Sequence, residues 1–533
     1  MRAKRVSFNR MRSVPVKIEG GLNENVSSIE LRGGELITCL NYQFFEGSSG
    51  GYVSIEGFER YDGQTSPSSI AASETDDTDR EAARAAIGEV PGEGAVLAVK
   101  VFEGNVYAFR NKVGGATAGM YKATSSGWVE VDTSANPLNP DGDYNFIEYN
   151  FFGSSSTVSM YWTDGVNKAR AFDGTTVTVI DNAGMDPNDQ PINLAAHNER
   201  LWLVYPGGSL QYSTTADPND WTTSAGEFGL GREITDLIVG VGGTLIIFCD
   251  KSIKILKGSS TSDWVLETFS DISGAYEKTA FRMFGTVYHM DGRGVTSLTA
   301  VQEFGDFGSN SISQKVYKTL QENKNSVTTA TVSRIKNQYR LYFDSGLGVY
   351  FSFYNKQLRG VTLVDFGIPV MSVSEGLDSN GDEVIFFTSS SGYVYQMDVG
   401  TSFDGSEIPT KLSTSFYHYG SPRLWKKFRS IEFEVASLDP IDVLIRTLFD
   451  YSGSHLPVSG SITKSLTGAG SLWGTGVWGT MTWATGESTN RFIHYIKGLG
   501  SNMSISFITS SKYSRPHTLQ NFTTDFELTK RQL

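Results

Sequence analysis

TLIIFCDKSIKIL, residues 244–256, reads as an apolar strand, a turn, and a second strand in which Ser252-Ile253-Lys254-Ile255 alternates polar and apolar. Runs of this kind recur through the middle of the chain. They begin at Asn105 (NVYAFR), Val158 (VSMYWTDG), Leu201 (LWLVY), Thr244, Thr286 (TVYHMDGRGVTSL), Gln338 (QYRLYF) and Glu383 (EVIFFTSSSGYVYQM). Successive starts lie 53, 43, 43, 42, 52 and 45 residues apart. A repeat of about 40–50 residues built from strands and Gly/Asp/Asn/Ser turns is the pattern of a β-propeller blade. The spacing predicts an all-β chain with a propeller of about five to eight blades. Propellers present loops around a central channel and serve more often as scaffolds and binders than as enzymes.

Working outward from the repeat, four regions separate. Residues 1–64 read as strands and turns, and 65–93 as a polar insert in which Asp79 caps a short helix over Arg80–Ile87. The propeller occupies 94–410. Within it, SISQKVYKTLQENKN (311–325) interrupts the strands with Ile312, Val316 and Leu320 four apart, predicting an amphipathic helix packed outside a blade. Residues 411–533 alternate over less regular strands, as in RSIEFEVAS and SNMSISFITS, and predict a second β domain. The two chain ends together would form a β-sheet or sandwich platform.

The chain has 533 residues, enough for two or three domains, and a formal charge of −13 from 58 acidic and 45 basic side chains. That balance argues against a high-affinity nucleic-acid binder, which carries a basic stripe to neutralise phosphates. It suits a wall past which a polyanion slides without sticking. No apolar run approaches the ~20 residues of a membrane span. The basic N-terminus lacks an apolar core, so it does not read as a secretory signal. Cys39 and Cys249 sit inside apolar strands and read as buried, reduced thiols.

Motif by motif, chemistry finds little support. Tyr161-Trp162-Thr163-Asp164 spells a receptor-propeller tetrapeptide, but once only, and fits a blade strand and its turn. Asp76 with Asp77, and Asp141 with Asp143, are close carboxylates in polar loops. The second pair could ligate calcium, yet lacks further oxygen ligands at the spacing of an EF-hand. The six histidines are scattered, and no nucleophile elbow, phosphate loop or dinucleotide fingerprint appears. The expectation is no catalytic residue, no metal and no cofactor. Two features point to partners instead. One is the basic N-terminus, Arg2, Lys4, Arg5, Arg10 and Arg12, suited to an acidic surface or to DNA phosphates, or merely solvated. The other is the run SLWGTGVWGTMTWATG with Trp473, Trp478 and Trp483. Steps of five reverse face along a strand, so the rings either fill separate niches or anchor a protein partner.

The ordered series of segments resembles a known family. GGLNENVSSIELRGGELITCLNY (20–42) and GYVSIEGFERYDGQTSPS (51–68) resemble its opening. GEGAVLAVKVFEGNVYAFRNK (92–112) and HNERLWLVYPGGSLQYSTTADPNDW (197–221) resemble its early blades. GGTLIIFCDKSIKILKG (242–258) and the stretch 272–307 resemble its central blades, and RLWKKFRSIEFEV (423–435) the strand returning to its platform. The family is the tail nozzle or tail-hub proteins of short-tailed bacteriophages, also called tail tubular protein B or head-closure (DNA-stabilisation) proteins. The resemblance implies a non-enzymatic virion tail protein, made in the host cytoplasm. It also implies a homo-hexameric ring below the portal and adaptor, with a needle, fibre or tailspike below or beside it and transient non-specific DNA contact in its channel. The 65–93 insert and the Trp-rich loop depart from the family pattern. Two other readings stay open: a carbohydrate-binding or carbohydrate-degrading tail propeller, which needs two carboxylates converging in one cleft, and a protein-interaction propeller of receptor type.

Overall fold

The computed structural model describes residues 11–44, 51–70, 78–153, 157–181, 188–240, 242–301, 306–420, 422–451, 462–466 and 488–529. Seven four-stranded antiparallel units follow one another along 93–131, 145–179, 193–229, 234–270, 281–311, 327–365 and 372–397, the last completed by Phe58–Tyr61. Their innermost strands are Glu93–Phe102, Asn145–Tyr149, Asn193–His197, Ile234–Val239, Phe281–Met283, Val327–Ser333 and Ser372–Leu377. All seven contribute side chains to one central cavity, so the units are blades 1–7 of a β-propeller.

Each of the seven recurrent runs is the second strand of its blade, and the reason is burial. A second strand is paired on both edges and covered on both faces by neighbouring blades. Arg200–Tyr205, Leu245–Cys249 and Gln338–Phe343 are accordingly buried at every residue. Cys39 and Cys249 are both buried and unbridged.

Blade 7 closes on a strand from the other end of the chain. Phe58–Tyr61 runs antiparallel to Val394–Met397, pairing Phe58 with Met397 and Tyr61 with Val394. Residues 1–64 are therefore not wholly platform: Phe58 belongs to the core of blade 7, where an aromatic cluster receives it. The insert that follows docks rather than wandering off. Its helix is Thr78–Ala86, starting two residues earlier than the sequence suggested, and Asp79 lies inside the first turn instead of capping it. Arg84 of that helix is buried and meets Glu59 at 3.7 Å and Asp404 at 3.3 Å. Burial lifts the Glu59 carboxyl to about 7 despite the opposing Arg84 charge.

Blade 6 does not end at its fourth strand. Gln357–Asp365 continues into Leu36–Leu40, then Ile408–Thr414, Met503–Ser511, Ile441–Phe449 and Ile462–Leu466, making one nine-stranded sheet. A second sheet combines Tyr42–Phe44, Tyr52–Ser54, Thr518–Leu528, Lys426–Ser437 and Ser488–Gly500, with Met11–Lys17 on Thr518–Leu528. The two share a core including Ile431, Phe433, Val443, Ile445, Phe507 and Phe522. Strands from both chain ends thus form a sandwich that grows out of blade 6.

The helix expected over 311–325 is shorter, Tyr317–Asn323, flanked by 3-10 turns at Gln314–Val316 and Lys324–Ser326. It packs at the joint rather than on an outer face. Val316 and Leu320 are buried in the platform core, and Lys315 binds Glu35 at 3.0 Å and the Gly20 carbonyl at 2.8 Å.

Candidate functional site

Around the propeller axis the inner strands splay apart, and backbone groups there have no ladder partner. Such groups must be satisfied in another way, and side chains of successive blades supply it. Asn145 Nδ2 donates to the Ile192 carbonyl at 2.8 Å, and Asn193 Nδ2 to the Thr235 carbonyl at 3.4 Å. Asp236 accepts from the Leu237 amide at 2.9 Å and the Ala280 amide at 3.2 Å. The Ala330 amide donates to the Lys278 carbonyl at 2.9 Å, and Thr331 Oγ1 to Glu375 at 3.1 Å. The Val101 amide donates to Ser374 Oγ at 3.2 Å, and Lys100 pairs with Glu148 at 2.6 Å, completing the circuit.

The channel enclosed has a volume of about 250 Å³. A duplex, whose major groove alone is about 12 Å wide, cannot enter such a space. Its lining includes a perturbed acid. Burial raises the Asp236 carboxyl to about 7, with its amide donors, Asn193 and Lys278 pulling the other way.

At the end where the inner strands begin, the channel opens into a mouth of about 660 Å³ between blades 4 and 5. Lys278, in a left-handed conformation at φ 56°, stands where mouth and channel meet. Its ammonium pairs across the opening with Asp143, on the loop before blade 2. Burial and the Asp143 charge raise the Glu277 carboxyl, with Lys278 opposing. The wall segment 272–278 is fixed by the Ala275 amide to the Cys249 carbonyl at 3.2 Å and the Tyr276 amide to the Met290 carbonyl at 2.8 Å. Gly274 is required there, because a Cβ would lie 1.9 Å from the Cys249 carbonyl oxygen.

Of the residues singled out from sequence, Arg12 lies exposed on the strand Met11–Lys17 at a platform edge. Arg2, Lys4, Arg5, Arg10, Trp473, Trp478 and Trp483 lie outside the described residues, as do Asp76 and Asp77. Asp141 and Asp143 do not converge: Asp141 accepts from Asn111 Nδ2 at 2.7 Å, whereas Asp143 faces Lys278. Among the described residues no cluster of three or more His, Cys, Asp or Glu side chains is placed to hold a metal ion. Tyr161 and Trp162 are buried in the second strand of blade 2. Asp164 caps its turn, accepting from the Asn167 amide at 2.7 Å and the Val166 amide at 3.1 Å.

No family model matches the chain, and no curated protein is similar to it. Among solved structures, a streptogramin B lyase is similar with a TM-score of 0.41 and 12% identity, over 59% of this chain and 96% of that one. Virginiamycin B lyase from Staphylococcus aureus gives 0.41 and 12%, over 58% and 98%. Raptor from Chaetomium thermophilum gives 0.40 and 11%, over 59% and 28%. At this distance the likeness carries no argument about the chain.

Asp236, Glu277 and Lys278 carry no motif, and the sequence reading missed them. One signal was present: Asn145, Asn193 and Asp236, near the starts of three successive inner strands, recur at 48 and 43 residues, in step with the blades.

The perturbed Asp236 makes a pH prediction. Its raised value means the folded protein keeps a proton that the unfolded chain releases between about pH 4 and 7. The burial cost is full above pH 7 and fades as pH falls. His197, His289 and His517, each lowered to about 4 by burial, act oppositely and lose stability below their unfolded value. They are common to wild type and Asp236→Asn and cancel in the difference. From pH 8 to pH 5 the stability gap between the two proteins is expected to move about 2–3 kcal/mol in favour of wild type. Urea unfolding at both pH values measures it; an equal gap at both would mean Asp236 is ionised throughout.

Proposed function

We propose that this chain is a structural, non-enzymatic tail protein of a short-tailed bacteriophage: a nozzle ring that continues the DNA channel below a portal–adaptor complex. It retains the packaged genome and passes DNA during ejection. The ordered sequence resemblance carries this reading. Its propeller-plus-platform division matches an architecture in which both chain ends build one sandwich. The 250 Å³ propeller channel is too small for DNA, so in this reading the conduit is the hole of a homo-hexamer. Adaptor proteins bind above, and a needle, fibre or tailspike binds below or beside. The net charge of −13 suits a wall that DNA passes with only transient contact. Among the described residues no helix is long and apolar enough to cross a membrane.

Electron microscopy and analytical ultracentrifugation of the chain, alone and with a portal–adaptor complex, test the reading. Six-fold rings seated on the adaptor are expected. Fluorescence anisotropy at about 0.15 M salt should give duplex affinity weaker than the ~10⁻⁴–10⁻⁶ M of basic non-specific binders. A chain that stays monomeric beside the complex, or binds duplex below micromolar with a steep salt slope, removes the proposal. A second reading, a carbohydrate-binding or carbohydrate-degrading tail propeller, draws on the mouth cavity.

A further inference from the structure

We infer that the mouth between blades 4 and 5 is a binding site for a neutral saccharide, whether or not the chain assembles into a ring. The cavity of about 660 Å³ falls within the ~300–1,000 Å³ of small-molecule sites. It is preformed, since backbone hydrogen bonds pin the wall 272–278 and little ordering cost attends binding. The lining includes apolar surface: Ile272 is 82% exposed, Met371 is 42% exposed, and Tyr276 is half-buried. Such surface suits the C–H face of a sugar ring.

Most of the remaining charged lining is paired. Asp143 pairs with Lys278, Asp291 with Arg293 at 2.9 Å, and Asp250 with Arg232 at 3.8 Å. At these three pairs an ionic ligand would have to displace a partner. A hydroxyl donates and accepts at once, so it adds to the spare lone pairs of a paired carboxylate without breaking the pair. Lys251 and Glu277 also line the mouth and make no ion pair among the described residues. They offer one donor and one acceptor of the kind vicinal hydroxyls satisfy.

Tetrasaccharides derived from dextran and from chitin serve as neutral probes. Sialyllactose and a chitosan tetrasaccharide are the anionic and cationic comparators. Saturation-transfer NMR and calorimetry on the full chain are expected to show binding of a neutral probe, with both charged probes weaker by roughly tenfold. Tyr276→Ala and Lys251→Ala should each weaken that binding by roughly tenfold. Lys251→Ala changes an exposed loop residue, so its melting temperature should match wild type and a folding defect is excluded. Absence of binding by both neutral probes, preference for a charged probe, or indifference to both substitutions would overturn the inference.

Discussion

Asp398→Ala is expected to lower stability by about 3–5 kcal/mol, because it strands a buried guanidinium. Arg340, in the second strand of blade 6, is wholly buried, and its Nη1 donates to Asp398 at 2.7 Å. Its Nε donates to Gln338 at 2.9 Å, and the Tyr350 ring lies 4.5 Å below. Lys336 reaches the same carboxylate at 2.9 Å and also Glu56 at 2.7 Å. Burial alone would raise the Asp398 carboxyl, but Arg340 and Lys336 outweigh it and hold it well below the usual carboxylate range. The Asp398 side chain keeps 23% exposure, which admits some screening and favours the lower end of the range. The network ties blade 6, the end of blade 7 and the segment before Phe58 together. Urea unfolding near neutral pH measures the loss. The double variant Arg340→Met with Asp398→Asn removes the stranded charge and should recover most of it. Asn tolerates the left-handed backbone at Asp398, φ 58°. A loss under about 1 kcal/mol in Asp398→Ala would mean that water reaches Arg340 and the pair is not buried in effect.

This network marks the boundary of what the sequence discloses. The seven second strands were legible because burial on both faces forces continuous apolar runs, and the turns between them carry their own chemistry. Leu245–Cys249, buried at every position, is the clearest instance. Phe58–Tyr61 was not legible as a blade strand, because nothing local distinguishes a strand that pairs 333 to 339 residues away from one that pairs beside it; its partner is Val394–Met397. For the same reason the continuation of blade 6 into Leu36–Leu40 left no trace: that parallel contact is a single register pair, Leu40 with Leu363. The site was harder still. Lys278 and Asp143 meet only because blades 5 and 2 face each other across the axis, and a loop lysine and a loop aspartate 135 residues apart look like any solvated charges. Glycine-rich turns announced where the chain reverses. They did not announce which carboxyl would be buried against the axis, as Asp236 is.

Phe58→Ala is expected to cost about 3–5 kcal/mol, as large aromatic deletions from a core do, and to loosen one place in the ring. Phe58 is 1% exposed and stacks on Phe403 at 5.0 Å. It meets Phe366 and Phe387 edge-on at 5.2 Å and Tyr395 at 5.4 Å. Aromatic pairs add about 0.5–1.5 kcal/mol each beyond burial, which places the loss toward the upper end. Gly57, just before it, runs so close to the Ser402 carbonyl that a Cβ would lie 1.9 Å from that oxygen, so the strand has no room to shift and refill the cavity. Because Phe58–Tyr61 supplies the fourth strand of blade 7, the damage should be local first. Hydrogen exchange at Val394–Met397 is expected to accelerate while Leu245–Cys249, across the propeller, stays protected until global unfolding. Arg60→Ala in the same strand is the comparison. It removes a part-exposed ion pair with Asp404 at 2.7 Å and should cost much less. Uniform acceleration in all blades would mean that the ring opens as one cooperative unit. A loss below about 1 kcal/mol would mean that Phe58 does not close the ring at all. The closing strand follows the platform strand Tyr52–Ser54 after only three residues, 55–57, so the seam of the propeller and the N-terminal platform are joined by a very short stretch of chain.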